Sequence, residues 1–145
     1  VSDSSRFDVF RLIDAALEGD VARSLRIVRG LRQEGAEILA LTGMLAREVR
    51  SLAAMSIERS NGASPASLMK KYRVFPKRQG IMTRALGRHT AESAQALVER
   101  LYHIDSRVKG LAVGDPWTEL EGLVVELGGL DLGLAEPVPV IRRDV

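Results

Sequence analysis

The sequence contains no cysteine. That single absence excludes disulfides, thiolate metal ligands and cysteine nucleophiles together. Histidine is scarce, with His89 and His103 the only two, so a zinc site would need carboxylates to complete it. Aromatic residues make up 4% of the chain, including a single tryptophan, Trp117. No apolar run approaches the roughly 20 residues that span a bilayer. The opening residues Val1-Ser2-Asp3-Ser4-Ser5 lack the basic region and apolar core of a signal peptide, so a cytoplasmic location is expected. There is no initiator methionine, which fits an excised fragment or a processed chain. Net charge is only +2, so bulk charge favours no class of partner.

What is present is ordinary globular composition, 46% hydrophobic and 28% charged over 145 residues. One domain is the default at that length. Apolar residues keep a helical period almost throughout. Phe10, Ile13 and Leu17 form a first stripe that Gly19 ends. Asp20 offers an N-cap oxygen to a second helix carrying Val21, Leu25, Val28 and Leu31, which stops at Gly35. A third segment from Ala36 to Arg59 carries Ile38, Leu41, Leu45, Val49 and Leu52, and Asn61-Gly62 ends it. Ser64-Pro65 restarts a short helix to about Tyr72, with Ser64 as cap. Pro76 biases Phe75 away from helical angles, so a break belongs there before a helix over 77–86.

Thr90 caps a helix with Ala94, Leu97, Leu101, Ile104 and Val108. Asp115-Pro116 starts the last one, with Trp117 as a core anchor and Leu120, Val124 and Leu127 along its stripe. No sustained period-2 alternation occurs. The expected fold is all-α, a single bundle of six or seven helices over 7–129. Residues 1–6 read as a leader. Residues 130–145, with Pro137 and Pro139, read as an extended or disordered tail. Leu123, Val124 and Val125 make the last helix apolar over a wide arc, as a doubly buried helix is, and are the candidate subunit interface.

Catalytic patterns are missing. No Gly-rich strand-to-helix turn with Lys and Ser or Thr cradles a phosphate. Ser64 sits where a nucleophile elbow would, without a preceding strand or closing glycine. His103 and Asp105 diverge on their helix, and His89 reads as a surface residue. No catalytic residue, metal site or cofactor is expected.

Charge distribution is more informative. Arg59, Lys70, Lys71, Arg73, Lys77, Arg78, Arg84 and Arg88 fall between Arg59 and Ala91, a stretch without Asp or Glu. Such an asymmetry suits a polyanion or acidic partner, or simply a solvated face. Phe75 lies on the bend among these cations. It suits stacking on an unpaired base while Lys70, Lys71, Arg73, Lys77, Arg78 and Arg84 meet phosphates, or else tucks into the bundle beneath them.

With those residues placed, a resemblance emerges. The run Phe7-x-x-Phe10-x-Leu12-x-Asp14-Ala15-x-Leu17-x-Gly19 is followed by Ser24-Leu25 and by Leu31-x-x-Glu34-Gly35. Arg47-Glu48, Arg73-Val74-Phe75 with Arg78 and Gly80, and Asp105 with Lys109 come next. Trp117-x-Glu119-Leu120-Glu121-Gly122-Leu123 closes the series. In order and spacing these resemble the C-terminal domain of the bacterial DNA polymerase III delta subunit, over about Phe7 to Gly128.

The resemblance implies a helical collar that holds the subunit among the other subunits of the clamp loader, which places the sliding clamp on primed DNA in replication. It implies no catalysis in this fragment, although the parent subunit serves a DNA-directed DNA polymerase holoenzyme, a nucleotidyltransferase. The parts that contact the sliding clamp and the ATPase-like domain precede the collar. Primer–template DNA near Phe75 is a further implied partner, and no membrane is. Leu111-Ala112-Val113 lacks the aromatic that some relatives carry there. The alternative is an independent helical nucleic-acid-binding module built on the basic stretch.

Overall fold

A computed structural model describes residues 3–130. Seven helices follow one another: α1 (Asp3–Glu18), α2 (Val21–Gln33), α3 (Ile38–Ser60), α4 (Pro65–Lys71), α5 (Pro76–Arg88), α6 (Ala91–Val108) and α7 (Pro116–Leu127). Among the described residues there is no strand, so the all-α expectation holds. The stretch expected as a leader is partly helical, since α1 begins at Asp3. The expected tail beyond Leu130 lies outside the described residues.

Local chemistry sets the helix starts. The Asp20 carboxylate accepts from the Arg23 N–H at 3.2 Å, and the Ser64 hydroxyl from the Ser67 N–H at 3.1 Å. Thr90 and Ser93 form a reciprocal capping box, and Asp115 accepts from the Trp117 N–H at 3.0 Å. Each bond satisfies an N–H that the helix itself leaves unpaired. Pro65, Pro76 and Pro116 occupy first-turn positions, where a missing N–H costs nothing.

The apolar stripes close into one core. α3 and α6 share the largest interface, α7 packs against α6 and α2, and α1 lies between α2 and α5. Leu12, Leu17, Leu45, Leu52, Leu86, Ile104 and Leu120 are fully buried. Each such side chain stabilises the fold by about 1.5–3 kcal/mol relative to exposure. Two positions differ from the helical reading. Phe10 is 53% exposed, because Val9, Leu12, Ile13, Ala16 and Leu17 fill the inward face of α1. Trp117 is half-buried and packs against the core edge.

The candidate interface residues on α7 need correcting. Leu123 and Val124 are fully buried and Val125 is 8% exposed. The wide apolar arc of α7 is used up inside the domain, against α6, α2, α1 and α3. These three side chains therefore present no surface to another subunit.

Candidate nucleic-acid interface

The stretch without acids in sequence is not without acids in space. Lys71 Nζ lies 2.8 Å from Glu58 on α3, and the Tyr72 hydroxyl donates to the same carboxylate. The hydrogen bonds from Lys71 and Tyr72 hold the Glu58 carboxyl below its ordinary value, and that carboxylate pushes the Tyr72 phenol up. Arg78 reaches Asp14 of α1 at 3.1 Å and Glu48 of α3 at 3.3 Å. Arg84 pairs with Glu18 at the end of α1. Three of the six candidate phosphate ligands are thus tied to carboxylates of neighbouring helices. Long-range pairing of this kind carries no signal in linear charge order.

Two further cations of the stretch cap helices. Arg59 Nη1 donates to the Leu86 carbonyl at 2.6 Å. Arg88 donates to the Leu17 carbonyl at 3.0 Å, the Glu18 carbonyl at 3.1 Å and the Leu127 carbonyl at 3.4 Å. It joins the C-terminal ends of α1 and α7, where the helix dipole favours a cation. Burial lowers the Arg88 pKa, with Arg84 adding to the shift and Glu18 opposing it.

His89 is not the surface residue expected from its place at a helix boundary. It is 8% exposed, its Nε2 meets the Leu127 carbonyl at 2.8 Å and its Nδ1 meets Ser93 Oγ at 3.0 Å. A carbonyl only accepts, so Nε2 carries the proton and Nδ1 is the acceptor of the neutral ring. Burial lowers the pKa of His89, against the opposing effect of the bond to Leu127. A cleft of about 290 Å³ lies beside Arg88, His89 and Glu126. Its ionisable groups are committed, His89 as above and Glu126 to Arg100 at 2.8 Å, so none is poised as an acid or base. Among the described residues no group of three metal-ligating side chains occurs.

What remains is Lys70, Arg73, Lys77 and Phe75, at the corner between α4 and α5. The three cations are exposed and have no ion pair among the described residues. Phe75 is 74% exposed, so it does not tuck into the bundle. Its backbone is extended at φ −59° and ψ 144°, as the following proline requires. Val74 packs inward instead. An exposed aromatic ring among three unpaired cations offers a stacking face and phosphate partners together.

Exposed apolar residues missed at the sequence level lie elsewhere. Phe7 and Phe10 on α1, Leu39 on α3, Tyr102 on α6, and Leu111 and Val113 in the loop before α7 all face outward. Phe7 also lies beneath the Arg11 guanidinium, 5.8 Å from its ring centre.

The family model described as DNA polymerase III delta subunit, C-terminal domain, matches residues 6–127. The chain belongs to this family. It is 34% identical over 124 residues to the DNA polymerase III subunit delta of Escherichia coli strain K12, covering 85% of this chain and 36% of that protein. With the DNA polymerase III subunit delta of Haemophilus influenzae the identity is 24% over 135 residues, 88% of this chain and 39% of that one. The chain therefore spans little more than a third of the length of these relatives. The delta-family fold is also seen in the Bacillus subtilis DNA clamp loader delta protein, at a TM-score of 0.61 and 19% identity over 88% of this chain and 38% of that one. At that identity the likeness shows the fold alone. Among the described residues no helix is long and apolar enough to cross a membrane.

Proposed function

We propose that this delta-family domain is the collar of a clamp loader subunit, holding that subunit among its neighbours while the sliding clamp is placed on primed DNA. Membership of the delta C-terminal family over 6–127 carries the reading. The apolar residues left outside the core support it. Phe7, Phe10, Leu39, Tyr102, Leu111 and Val113 are the large apolar side chains through which partner collars would pack, in place of Leu123, Val124 and Val125. Aromatic side chains at such positions supply large contact area. Co-expression of the whole subunit with the other loader subunits, followed by sizing, tests this. A stoichiometric complex that is lost when 6–127 is deleted is expected. A complex that forms equally well without this segment overturns the reading.

The α4–α5 corner supports a second element of the function, contact with primer–template DNA, and the same corner would serve an independent nucleic-acid-binding module. Three unpaired cations predict a shallow log–log salt dependence, with a slope of about −2 on a single strand. Lys70, Arg73 and Lys77 are the residues to replace. Arg78 and Arg84 are poor probes, because their loss frees Asp14, Glu48 and Glu18.

A further inference from the structure

α2 carries no Asp or Glu and four arginines, Arg23, Arg26, Arg29 and Arg32. They recur every third residue, so they spread over the outer half of the helix. On the side toward α7 each arginine has an acid. Arg29 meets Glu121 at 3.2 Å and Arg32 meets Asp115 at 3.1 Å. On the side toward α1 the pairing stops. Arg26 is exposed and Arg23 half-buried, and neither guanidinium has an ion pair or hydrogen bond among the described residues.

A cleft of about 330 Å³ lies on that side, between α1 and α2. Arg23 and Arg26 line it from α2, and Arg11 lines it from α1. Arg11 is already held by Asp8 at 3.0 Å. Ile27 and Leu31 give the cleft an apolar floor beside Gly30. A Cβ added at Gly30 would meet nothing within 4 Å, so the space over it is open. Glycine inside a helix is less favourable than alanine, and no neighbour in the domain requires one here. The cleft therefore joins two unmatched cations, one turn apart, to an apolar surface with room above it.

We propose that this cleft docks a short acidic segment of another protein. Arg23 and Arg26 grip its carboxylates, and an apolar side chain between them seats on Ile27 and Gly30. Charge complementarity selects this occupant. α7 shows what the arginines of α2 take on their other side, acids carried by an apolar helix. A planar guanidinium holds a carboxylate through two parallel hydrogen bonds. Like charges one turn apart repel, and an anion between them relieves that repulsion. A nucleic-acid strand fits less well. Asp8 and Glu34 line the same cleft and repel successive phosphates. The volume is at the small end for ligand clefts, so it takes a few side chains rather than a folded surface. This site goes beyond the collar reading and uses none of the outward apolar residues assigned to partner collars.

The test uses the 145-residue chain, whose core closes within itself. Fluorescence anisotropy follows a labelled peptide of repeated Asp-Glu-Leu, with its Asn-Gln-Leu counterpart as control. Labelled oligothymidine of equal negative charge is the nucleic-acid arm. The acidic peptide should bind at least about tenfold more tightly than its amide counterpart, and salt should weaken it. Arg23→Ala with Arg26→Ala should lower that affinity about tenfold or more without lowering Tm, since neither side chain is paired in the domain. Arg50→Ala, on α3 and exposed, should leave the affinity unchanged. Gly30→Leu fills the cleft and should block the peptide while keeping or raising Tm, which separates occlusion from unfolding. No binding of the acidic peptide overturns the proposal. So does an affinity that survives the paired arginine substitutions or Gly30→Leu. Oligothymidine that binds more tightly than the peptide, and loses its affinity in the same variants, assigns the cleft to nucleic acid instead. Self-association of the chain that those variants abolish assigns it to a second copy, and equally overturns the proposal.

Discussion

Arg100 shows how much single side chains settle in this fold. Its guanidinium is 11% exposed and bridges Glu119 at 3.0 Å and Glu126 at 2.8 Å, fastening α6 to α7. It passes over Gly122, where an added Cβ would lie 2.8 Å from Nη1. Removing one partner of a buried pair leaves an uncompensated charge, and here Glu126 would lose its ion pair while Glu119 would keep only Arg107, at 3.7 Å. Arg100→Ala should therefore lower stability by about 3 kcal/mol, read from urea midpoints. Gly122→Ala should weaken the same pair by displacing the guanidinium.

His89 makes a prediction in pH. Its folded-state pKa is lowered chiefly by burial, so the native state favours the neutral ring. Stability is then complete above the unfolded value of about 6.5 and is lost as pH falls from there toward the folded value. Melting between pH 7 and 5 should show that loss, and His89→Gln should flatten it. The helix caps were legible from sequence because each partner lies within three residues. The burial of His89 was not, because it depends on the end of α7, 38 residues away.

At the scale of elements, helix periodicity and stop signals located all seven helices, because both are local properties. The ion pairs of α5 were not legible for the opposite reason. The acids that pair with Arg78 and Arg84 sit on α1 and α3. Neighbouring cations should consequently behave in opposite ways. Arg78→Ala should destabilise by about 1 kcal/mol, since it cuts ties to both helices. Lys77→Ala should stay within about 0.5 kcal/mol in melting, yet weaken junction binding. Thermal unfolding and anisotropy on the same two variants separate the roles.

For the whole molecule, α7 is the centre rather than a face. Its apolar arc was visible in the sequence, but periodicity does not distinguish a helix buried by its own domain from one shared with a partner. Leu123→Ala should accordingly cost about 2–5 kcal/mol of folding stability, a core cavity and not an interface defect. Replacing Phe7 and Phe10 by serine should leave melting almost unchanged, because both rings already face water. The central claim is that these outward aromatics meet another subunit. A photo-crosslinking residue at position 10 of the whole subunit, in the assembled loader, tests it most directly. The account predicts crosslinks to the C-terminal domain of a neighbouring subunit. Efficient assembly with no crosslink from position 10 to any subunit would contradict it.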